Sequence, residues 1–307
     1  MVSIRRMIAA DTDAISQLDA LAFTAYLRQK GHSGPVPTRT RGNVLACLNL
    51  NPGGCFVAEA DAPIGYIFTR VLGATGWIGT FGVHPDCQGR GIGRSLLTAA
   101  VEGLQGAGCA TIGLETMADS PYNVGFYSRF GFLLTLPTVL LAKETGPFAT
   151  VPPFTVLSQL ENEEALSAVT QISQAACPGL DYAPEVSNAR AYAWGETLLF
   201  GGPQPWAFAV VRTTPKGEGA VESVADVSAL VVRSKAGERL IAALQAVEVF
   251  AHSRGFGQVS LAVNTADGEA LQQALGYGFR VRNIALRMVL DGKYTLPAGR
   301  VLSKWLM

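Results

Sequence analysis

Charge is scarce in this chain, and neither sign prevails. Only 16% of the 307 residues are charged, and the 24 basic residues balance the 24 acidic ones. A chain without net charge has no general attraction for nucleic acid or for an anionic membrane, so we expect neither as a partner. No apolar run is long enough to span a bilayer, and the first residues lack a signal-peptide core. We therefore expect a cytoplasmic protein.

Cysteine and histidine are also few and scattered. No Cys-x-x-Cys pair occurs, and the three histidines are far apart, so the sequence predicts no metal site. The same scatter indicates free thiols rather than a disulfide framework. The five cysteines are Cys47, Cys55, Cys87, Cys109 and Cys177.

Apolar residues and glycine, in contrast, are plentiful, and the most informative segment is the glycine-rich loop at residues 88–93. The loop reads Gln-Gly-Arg-Gly-Ile-Gly, and it lies between a β-like run at 77–83 and an amphipathic helix pattern at 94–106. Glycines leave backbone N–H groups accessible, and a helix N-terminus adds unpaired N–H groups and a positive dipole end. With the charges of Arg90 and Arg94, the segment predicts a site for phosphate or pyrophosphate.

The glycine spacing excludes two other phosphate-binding loops. Gly89, Gly91 and Gly93 do not follow the G-x-G-x-x-G pattern of dinucleotide-binding folds, and no Gly-Lys-Ser/Thr of a Walker loop is present. The alternative is a glycine-rich turn between a strand and a helix that binds no ligand.

A second motif follows a further β-like run at 110–116. It reads Asn-x-x-Phe-Tyr at residues 123–127 and Gly-Phe at 131–132. Together with the glycine-rich loop, it resembles the GNAT superfamily of N-acetyltransferases over roughly residues 3–145. The resemblance implies an α/β (α+β) fold, in which helices flank a mixed, mostly antiparallel central sheet. It also implies acetyl-CoA as co-substrate and no metal.

The resemblance implies roles for individual residues. The loop would hold the pyrophosphate of acetyl-CoA, Asn123 would contact the cofactor, and the Tyr127 hydroxyl would protonate the leaving thiolate. A backbone N–H of a distorted strand before the loop, that of Gly82 or Val83, would stabilise the carbonyl oxygen. Gly79 and Gly82 would permit the distortion. The expected cofactor-binding residues are Gly82, Val83, Gln88, Gly89, Arg90, Gly91, Ile92, Gly93, Arg94, Asn123 and Tyr127. For Tyr127, packing beside Phe126 and Phe130 is the alternative.

The general base is the least defined part of the expected catalytic set. An alkylamine is protonated at neutral pH, yet the strand at 78–83 carries no carboxylate. Glu115 and His84 are the candidates that join Tyr127. Glu115 is also compatible with a residue that faces water, and His84 with a residue in the turn before Pro85. A water chain or an acceptor that arrives deprotonated would also serve.

A basic, proline-containing loop precedes the second predicted helix. It is compatible with binding of an anionic acceptor, although such a run is more often solvated. Its basic residues are Arg28, Lys30, His32, Arg39 and Arg41.

The second half of the chain repeats the pattern of the first. From the helix after the loop onward, the halves align without gaps at a separation of 147 residues. The sequence therefore predicts two tandem domains, 1–147 catalytic and 148–307 degenerate. The second copy has one glycine at 233–239, and it has Ala270, Ala274 and Ala262 where the first has Asn123, Tyr127 and Glu115. It would take the place of a second subunit, so that the chain is a pseudo-dimeric monomer.

The sequence thus predicts an N-acetyltransferase that moves the acetyl group of acetyl-CoA to a primary amine. Two alternatives stay open, namely transfer of a longer acyl group and a non-catalytic acyl-CoA sensor or scaffold. Asn123 and Tyr127 favour an enzyme, whereas the missing strand carboxylate leaves the sensor open. A small amine, an aminoglycoside, an amino acid and a protein amino terminus all fit as acceptor.

Overall fold

The computed structural model describes residues 2–147, 152–159, 162–219, 223–233, 237–294 and 296–305. The first half contains β1 (Ser3–Arg6), α1 (Thr12–Gln29), α2 (Arg41–Asn49), β2 (Phe56–Glu59), β3 (Pro63–Leu72), β4 (Thr75–Val83), α3 (Ile92–Gly106), β5 (Thr111–Met117), α4 (Pro121–Ser128), β6 (Phe132–Leu134) and β7 (Thr138–Glu144). The second half contains β8 (Phe154–Val156), α5 (Asn162–Ala176), α6 (Ala183–Ala191), β9 (Gly195–Phe200), β10 (Ala207–Arg212), β11 (Val224–Val232), α7 (Gly237–Ser253), β12 (Gln258–Asn264), α8 (Gly268–Gly276), β13 (Arg280–Leu290) and β14 (Arg300–Ser303).

The internal repeat is confirmed element by element. β5 and β12 begin 147 positions apart, at Thr111 and Gln258, and α4 and α8 begin at the same separation. β4 pairs in parallel with β5, as β11 does with β12, and the other strand pairs of the described residues are antiparallel. Each half therefore has the expected mixed, mostly antiparallel sheet.

The two halves exchange one strand and so share a single sheet. β13 of the second half lies between β5 and β7, and β7 of the first half pairs with β12. The strand order is β1-β2-β3-β4-β5-β13-β7-β12-β11-β10-β9-β8, with β6 on β13 and β14 on β11. Because β7 and β13 hold equivalent places in the repeat, each half completes the sheet of the other.

Helices cover both faces of the first half's part of the sheet. α3 packs Leu96, Leu97 and Ala100 on one face, an apolar stripe with the spacing of one side of a helix. α1 and α2 pack on the opposite face, where Ile15 and Val44 are buried. A third apolar cluster contains residues of both halves and fills the space between them.

Candidate active site

The strand before the glycine-rich loop is distorted where the sequence predicts. Phe68 of β3 lies opposite two residues of β4, Gly79 and Thr80, which is a β-bulge. Pairing of β4 with β5 ends at Ile78 and Leu114, although both strands continue. Beyond that point the strands diverge and leave a gap, which we call the first cleft.

Glycine at position 82 is required by a close contact. A Cβ atom there would lie 2.8 Å from a ring carbon of Tyr66, a fully buried residue whose hydroxyl donates a hydrogen bond to Asp19. Gly82 therefore lets β4 lie directly against this tyrosine. The need for glycine here follows from packing and is independent of any ligand.

The amide of Val83 points into the first cleft. The next residue, His84, donates its N–H to the carbonyl of Ile64 at 2.8 Å. In an antiparallel pair, alternate residues direct their N–H groups to the partner strand. Gly82 therefore directs its N–H to β3, whereas Val83 directs its N–H to the side that β5 has left. Of the two amides predicted to stabilise the carbonyl oxygen, the geometry favours Val83.

The glycine-rich loop is open towards solvent and has a backbone shape that favours glycine. Gly89 has φ +76° and Gly91 has φ +81°, both left-handed, and no heavy atom lies within 4 Å of a Cβ built on either. Gly91 is the N-cap of α3 and brings no side chain to cap the first N–H groups. The arrangement presents a positive helix end to open space, which suits an anion.

The other side chains of the loop fix its position. Gln88 donates its side-chain amide to the carbonyl of Val83 at 3.2 Å, and Ile92 is buried under the sheet. A Cβ on Gly93 would lie 3.2 Å from the Phe81 ring. Gln88 and Ile92 were predicted to bind the cofactor, and their side chains hold the loop against the strand beside the cleft. Gly93 was predicted likewise, and its lack of a side chain lets the loop approach Phe81.

The two loop arginines differ in their surroundings. Arg94 extends over the Phe130 ring, with 5.2 Å between Cζ and the ring centroid. Arg90 is exposed, and it forms no ion pair with any residue of the described ranges. Its charge is therefore available to a ligand on the loop.

Helix α4 spans the cleft. Asn123 donates its side-chain amide to the Thr116 hydroxyl of β5 at 3.2 Å, and Phe126 stacks on Phe81 of β4 with 6.0 Å between centroids. Thr116 was not predicted, although the polar pair at the end of β5 was a signal for it. Within the described part of the chain, the Tyr127 hydroxyl has no hydrogen-bond partner. Burial raises the pKa of Tyr127, which keeps this hydroxyl protonated.

Glu115 has a place that differs from the expected one. It is buried on β5, and its Oε1 accepts hydrogen bonds from Arg287 Nη2 at 3.0 Å and from Thr138 at 2.5 Å. Its Oε2 accepts the backbone N–H of Trp305 at 2.9 Å. Both carboxylate oxygens are therefore occupied in the contact between the halves. This corrects the expectation of a general base, and it also excludes the alternative in which Glu115 faces water.

His84 follows β4 and caps the short turn Pro85–Cys87. Its Nδ1 accepts the backbone N–H of Asp86 at 3.3 Å. A neutral imidazole that accepts through Nδ1 carries its proton on Nε2 and has no second lone pair for the proton of an amine. The turn role that the sequence offered as alternative is the one that this geometry favours.

The second half has an equivalent cleft, and the chain fills it with its own strand. β11 and β12 pair only over Val224–Asp226, and β14 then pairs with β11 at Ala229–Val232. Ala270 and Ala274, which align with Asn123 and Tyr127, are fully buried in α8. Of the second loop at 233–239, residues 234–236 lie outside the described residues.

The basic loop before α2 is largely neutralised by the protein itself. Arg39 is buried, and its Nε lies 3.0 Å from a carboxylate oxygen of Asp19. Lys30 pairs with Asp119. Arg41 pairs with Asp13, so three of the five basic residues have carboxylate partners.

Three further features concern the described residues as a whole. All five cysteines are free thiols, as predicted. Among the described residues, no group of three or more His, Cys, Asp or Glu side chains is arranged to hold a metal ion. In the same ranges, no helix combines the length and the apolar character that crossing a bilayer requires.

The comparison with protein families agrees with this geometry. A family model of the acetyltransferase (GNAT) family matches residues 18–132. The matched segment runs from α1 to the start of β6 and contains the first cleft, the glycine-rich loop and α4. Through this segment the chain belongs to the acetyltransferase (GNAT) family.

Curated relatives match up to about half of the chain. A mycothiol acetyltransferase of Streptomyces coelicolor is 31% identical over 148 residues, which are 47% of this chain and 47% of that protein. The chain thus matches about half the length of this relative.

Solved structures extend the likeness to the whole chain. A Pyrococcus horikoshii protein, provisionally named an acetyltransferase, has a TM-score of 0.70 at 18% identity and covers 99% of this chain and 95% of its own. A tandem GNAT protein from the clavulanic acid biosynthesis pathway has a TM-score of 0.58 at 15% identity. The match covers 94% of this chain and 98% of that protein. At such identities the likeness shows the fold, which is the tandem GNAT architecture that the repeat predicts.

Proposed function

We propose that this protein is a cytoplasmic N-acetyltransferase that moves the acetyl group of acetyl-CoA to a primary amine, with the reaction in residues 1–147. One observation carries the proposal. Helix α4 carries the unpartnered Tyr127 hydroxyl and contacts both strands of the first cleft, close to the open glycine-rich loop. All of these features lie within the segment that the family model matches.

Acetyl-CoA fits these residues as co-substrate. The left-handed glycines, the uncapped start of α3 and the free charge of Arg90 suit a pyrophosphate. The thioester would then extend into the first cleft. There the Val83 N–H would donate to the carbonyl oxygen as negative charge develops on it.

The transfer itself needs two proton movements. The amine nitrogen forms a C–N bond with the thioester carbon and loses a proton, and the C–S bond breaks. Tyr127 donates its proton to the departing thiolate, for which its raised pKa provides a protonated hydroxyl. Because the Glu115 carboxylate and the His84 Nδ1 already accept hydrogen bonds, we assign the proton that an ammonium acceptor must lose to a water chain, and an acceptor that arrives deprotonated needs no base for that step. The proton that the neutral amine loses as the amide forms returns to the Tyr127 phenolate and restores its hydroxyl.

The second half would then be a degenerate copy that supports the first. This proposal is supported by the strand β14 in its cleft and by the buried Ala270 and Ala274 in place of Asn123 and Tyr127. The exchange of β7 and β13 gives it a structural role, because β13 completes the catalytic half's sheet.

An acceptor screen tests the proposed function. Thiol release from acetyl-CoA is followed with a panel of amines, which includes the amine acetylated by mycothiol acetyltransferases, and products are identified by mass spectrometry. The expected result is acetylated amine with one equivalent of free CoA. Tyr127→Phe should suppress turnover, while Tyr122→Phe, at an exposed tyrosine of the same helix, should not.

A non-catalytic acyl-CoA sensor is the second candidate, and the engagement of Glu115 by Arg287 is the observation that favours it. A sensor would bind acetyl-CoA without releasing CoA in the presence of any amine. Tight binding together with no turnover across the panel would favour this candidate. Faster turnover with a longer acyl-CoA would instead identify a transferase of longer acyl groups.

A further inference from the structure

A loop of the second half lies against the first half near the cleft. We call residues 213–219, which follow β10, the β10 loop. Thr40, just before α2, donates its N–H to the carbonyl of Lys216 at 3.0 Å, and Glu218 donates its N–H to the carbonyl of Thr38 at 2.7 Å. The β10 loop thus forms a short β-like contact with the catalytic half.

Arg39 connects the β10 loop to the first cleft. Its backbone is bridged to Gly217, and its Nη2 donates to the hydroxyl of Thr80 at 2.9 Å. Thr80 belongs to the β-bulge that opens the cleft. The β10 loop is therefore separated from the bulge by a single arginine side chain, whose charge Asp19 already neutralises.

Two cations at this place form no ion pair with a carboxylate of the described residues. Arg212, the last residue of β10, stacks on the Trp194 ring at 4.2 Å, and its Nη1 is buried without a hydrogen bond. The Lys216 ammonium forms neither a hydrogen bond nor an ion pair with any residue that the structure describes. Burial and the charge of Arg212 lower the pKa of Lys216 to about 8.

The nearby carboxylate is already in use. Asp226 lies directly across the strand pair from Arg212, but its Oδ1 accepts hydrogen bonds from Lys304 and Ser260. Arg212, Lys216 and Lys304 therefore share Asp226, and Glu185, the other carboxylate that attracts Arg212, is paired with Arg70. Half-buried cations that outnumber their counter-ions are unfavourable, and an anion at this place would relieve that cost.

We propose that Arg212 and Lys216 bind an anionic group, a carboxylate or a phosphate ester, on the amine that the first half acetylates. This inference rests on the proposed function and names the class of its acceptor. Arginine suits both groups because its planar fork donates two parallel hydrogen bonds to them. The second half thereby supplies the specificity of the reaction, although its own cleft is filled.

The basic loop before α2 explains why the anion site lies on the second half. That loop was the place where the sequence offered acceptor binding, but Lys30, Arg39 and Arg41 have carboxylate partners. Lysine and arginine whose charges are neutralised within the protein attract an anion weakly. Cations without an ion pair occur instead at the end of β10 and in its loop, which contacts the segment before α2.

Matched acceptors test the inference through turnover. L-alanine is compared with L-alaninamide, and glucosamine 6-phosphate with glucosamine, so that the two arms separate carboxylate from phosphate. We expect the anionic member of at least one pair to have the lower KM. Lys216→Met and Arg212→Gln should raise that KM by about 10–100-fold, the usual effect of losing a charged hydrogen bond, and leave the neutral member unchanged. Lys293→Met, at an exposed lysine, is the control.

A binding measurement tests the same site without turnover. Thermal unfolding of the full chain is followed in inorganic phosphate or acetate, against sodium chloride of equal ionic strength. We expect one of the anions to stabilise the wild type but not Lys216→Met, which should itself be no less stable than the wild type because it loses an unpaired cation.

The outcomes separate this inference from the proposed function. If no amine of the panel is acetylated while the anion stabilises only proteins that retain Lys216, the proposed function fails and the anion site stands. If the neutral members are acetylated as well as the anionic ones, or if neither anion stabilises the wild type, the anion site fails and the proposed function stands.

Discussion

Glu115 on β5 and Arg287 on β13 lie opposite each other and form a buried ion pair, with 3.0 Å between Arg287 Nη2 and Glu115 Oε1. Arg287 also covers the Trp305 ring at 3.5 Å. The pair joins the halves at the exchanged strand, next to the first cleft. A residue that the sequence offered as a catalytic base is therefore a structural contact between the halves.

Removal of one partner of this pair should destabilise the protein strongly. Arg287→Met leaves the Glu115 carboxylate buried without its cation, which typically costs about 3–5 kcal/mol. The free energy of unfolding in urea measures the loss. The double variant Glu115→Leu/Arg287→Met should recover most of the stability, because no buried charge is left, and its folded fraction should retain turnover. Full stability with lost turnover in Glu115→Leu would instead restore the base role.

Tyr127→Phe should lower kcat and leave acetyl-CoA affinity unchanged. The hydroxyl acts when charge develops on sulfur, and general acid catalysis typically contributes about 10²–10⁴-fold. Burial raises the pKa of Tyr127, so the hydroxyl stays protonated as the pH rises, and we expect no loss of kcat from its ionisation below pH about 10. Single-turnover kinetics, with calorimetry for the affinity, check both parts. A wild-type kcat for Tyr127→Phe, measured where the chemical step limits the rate, would exclude Tyr127 as the general acid.

Gly91→Glu should weaken acetyl-CoA binding by about tenfold or more. The left-handed backbone at Gly91 costs a side-chain-bearing residue about 1–2 kcal/mol, and a carboxylate would repel the pyrophosphate. Gly106→Glu, in open space at the other end of α3, is the matched control and should bind normally. Calorimetry on both folded variants decides, and equal affinities would show that the loop does not hold the cofactor.

One acetyl-CoA should bind per chain. In the second half, β14 pairs with β11 along the stretch that diverges from β12, which leaves no room there for a cofactor arm. Calorimetric titration of the full chain should give a stoichiometry near one. A value near two would contradict the degenerate assignment.

The first half should not fold well alone. Ending the chain at residue 147 removes β13 from between β5 and β6, and it leaves β7 without its partner β12. We expect an aggregating or inactive fragment, since unpaired edges and apolar faces are exposed. Co-expression with residues 148–307 should restore solubility and acetyl-CoA binding if the exchange of strands is the cause. A monomeric, active fragment would contradict this.

Much of the fold could be predicted from short stretches of the sequence. The glycine spacing, the strand before it and the helix after it predicted the loop and the bulge, because backbone conformation at Gly79, Gly89 and Gly91 depends on residue type and near neighbours. The repeat separation predicted two similar halves for the same reason. The place of Glu115 could not be predicted, because its partner lies 172 residues away in the chain.

The sequence alone determined which elements form and which half carries the motifs, since periodicity, glycine and the lost Asn and Tyr equivalents are local properties. Only the tertiary structure decided how the halves combine. The exchange of β7 and β13 and the entry of β14 into the second cleft depend on pairing between distant strands whose hydrophobic patterns are alike. The contact between the β10 loop and Arg39, whose side chain reaches Thr80, arises in the same way, because the sheet brings the end of β10 against the segment before α2.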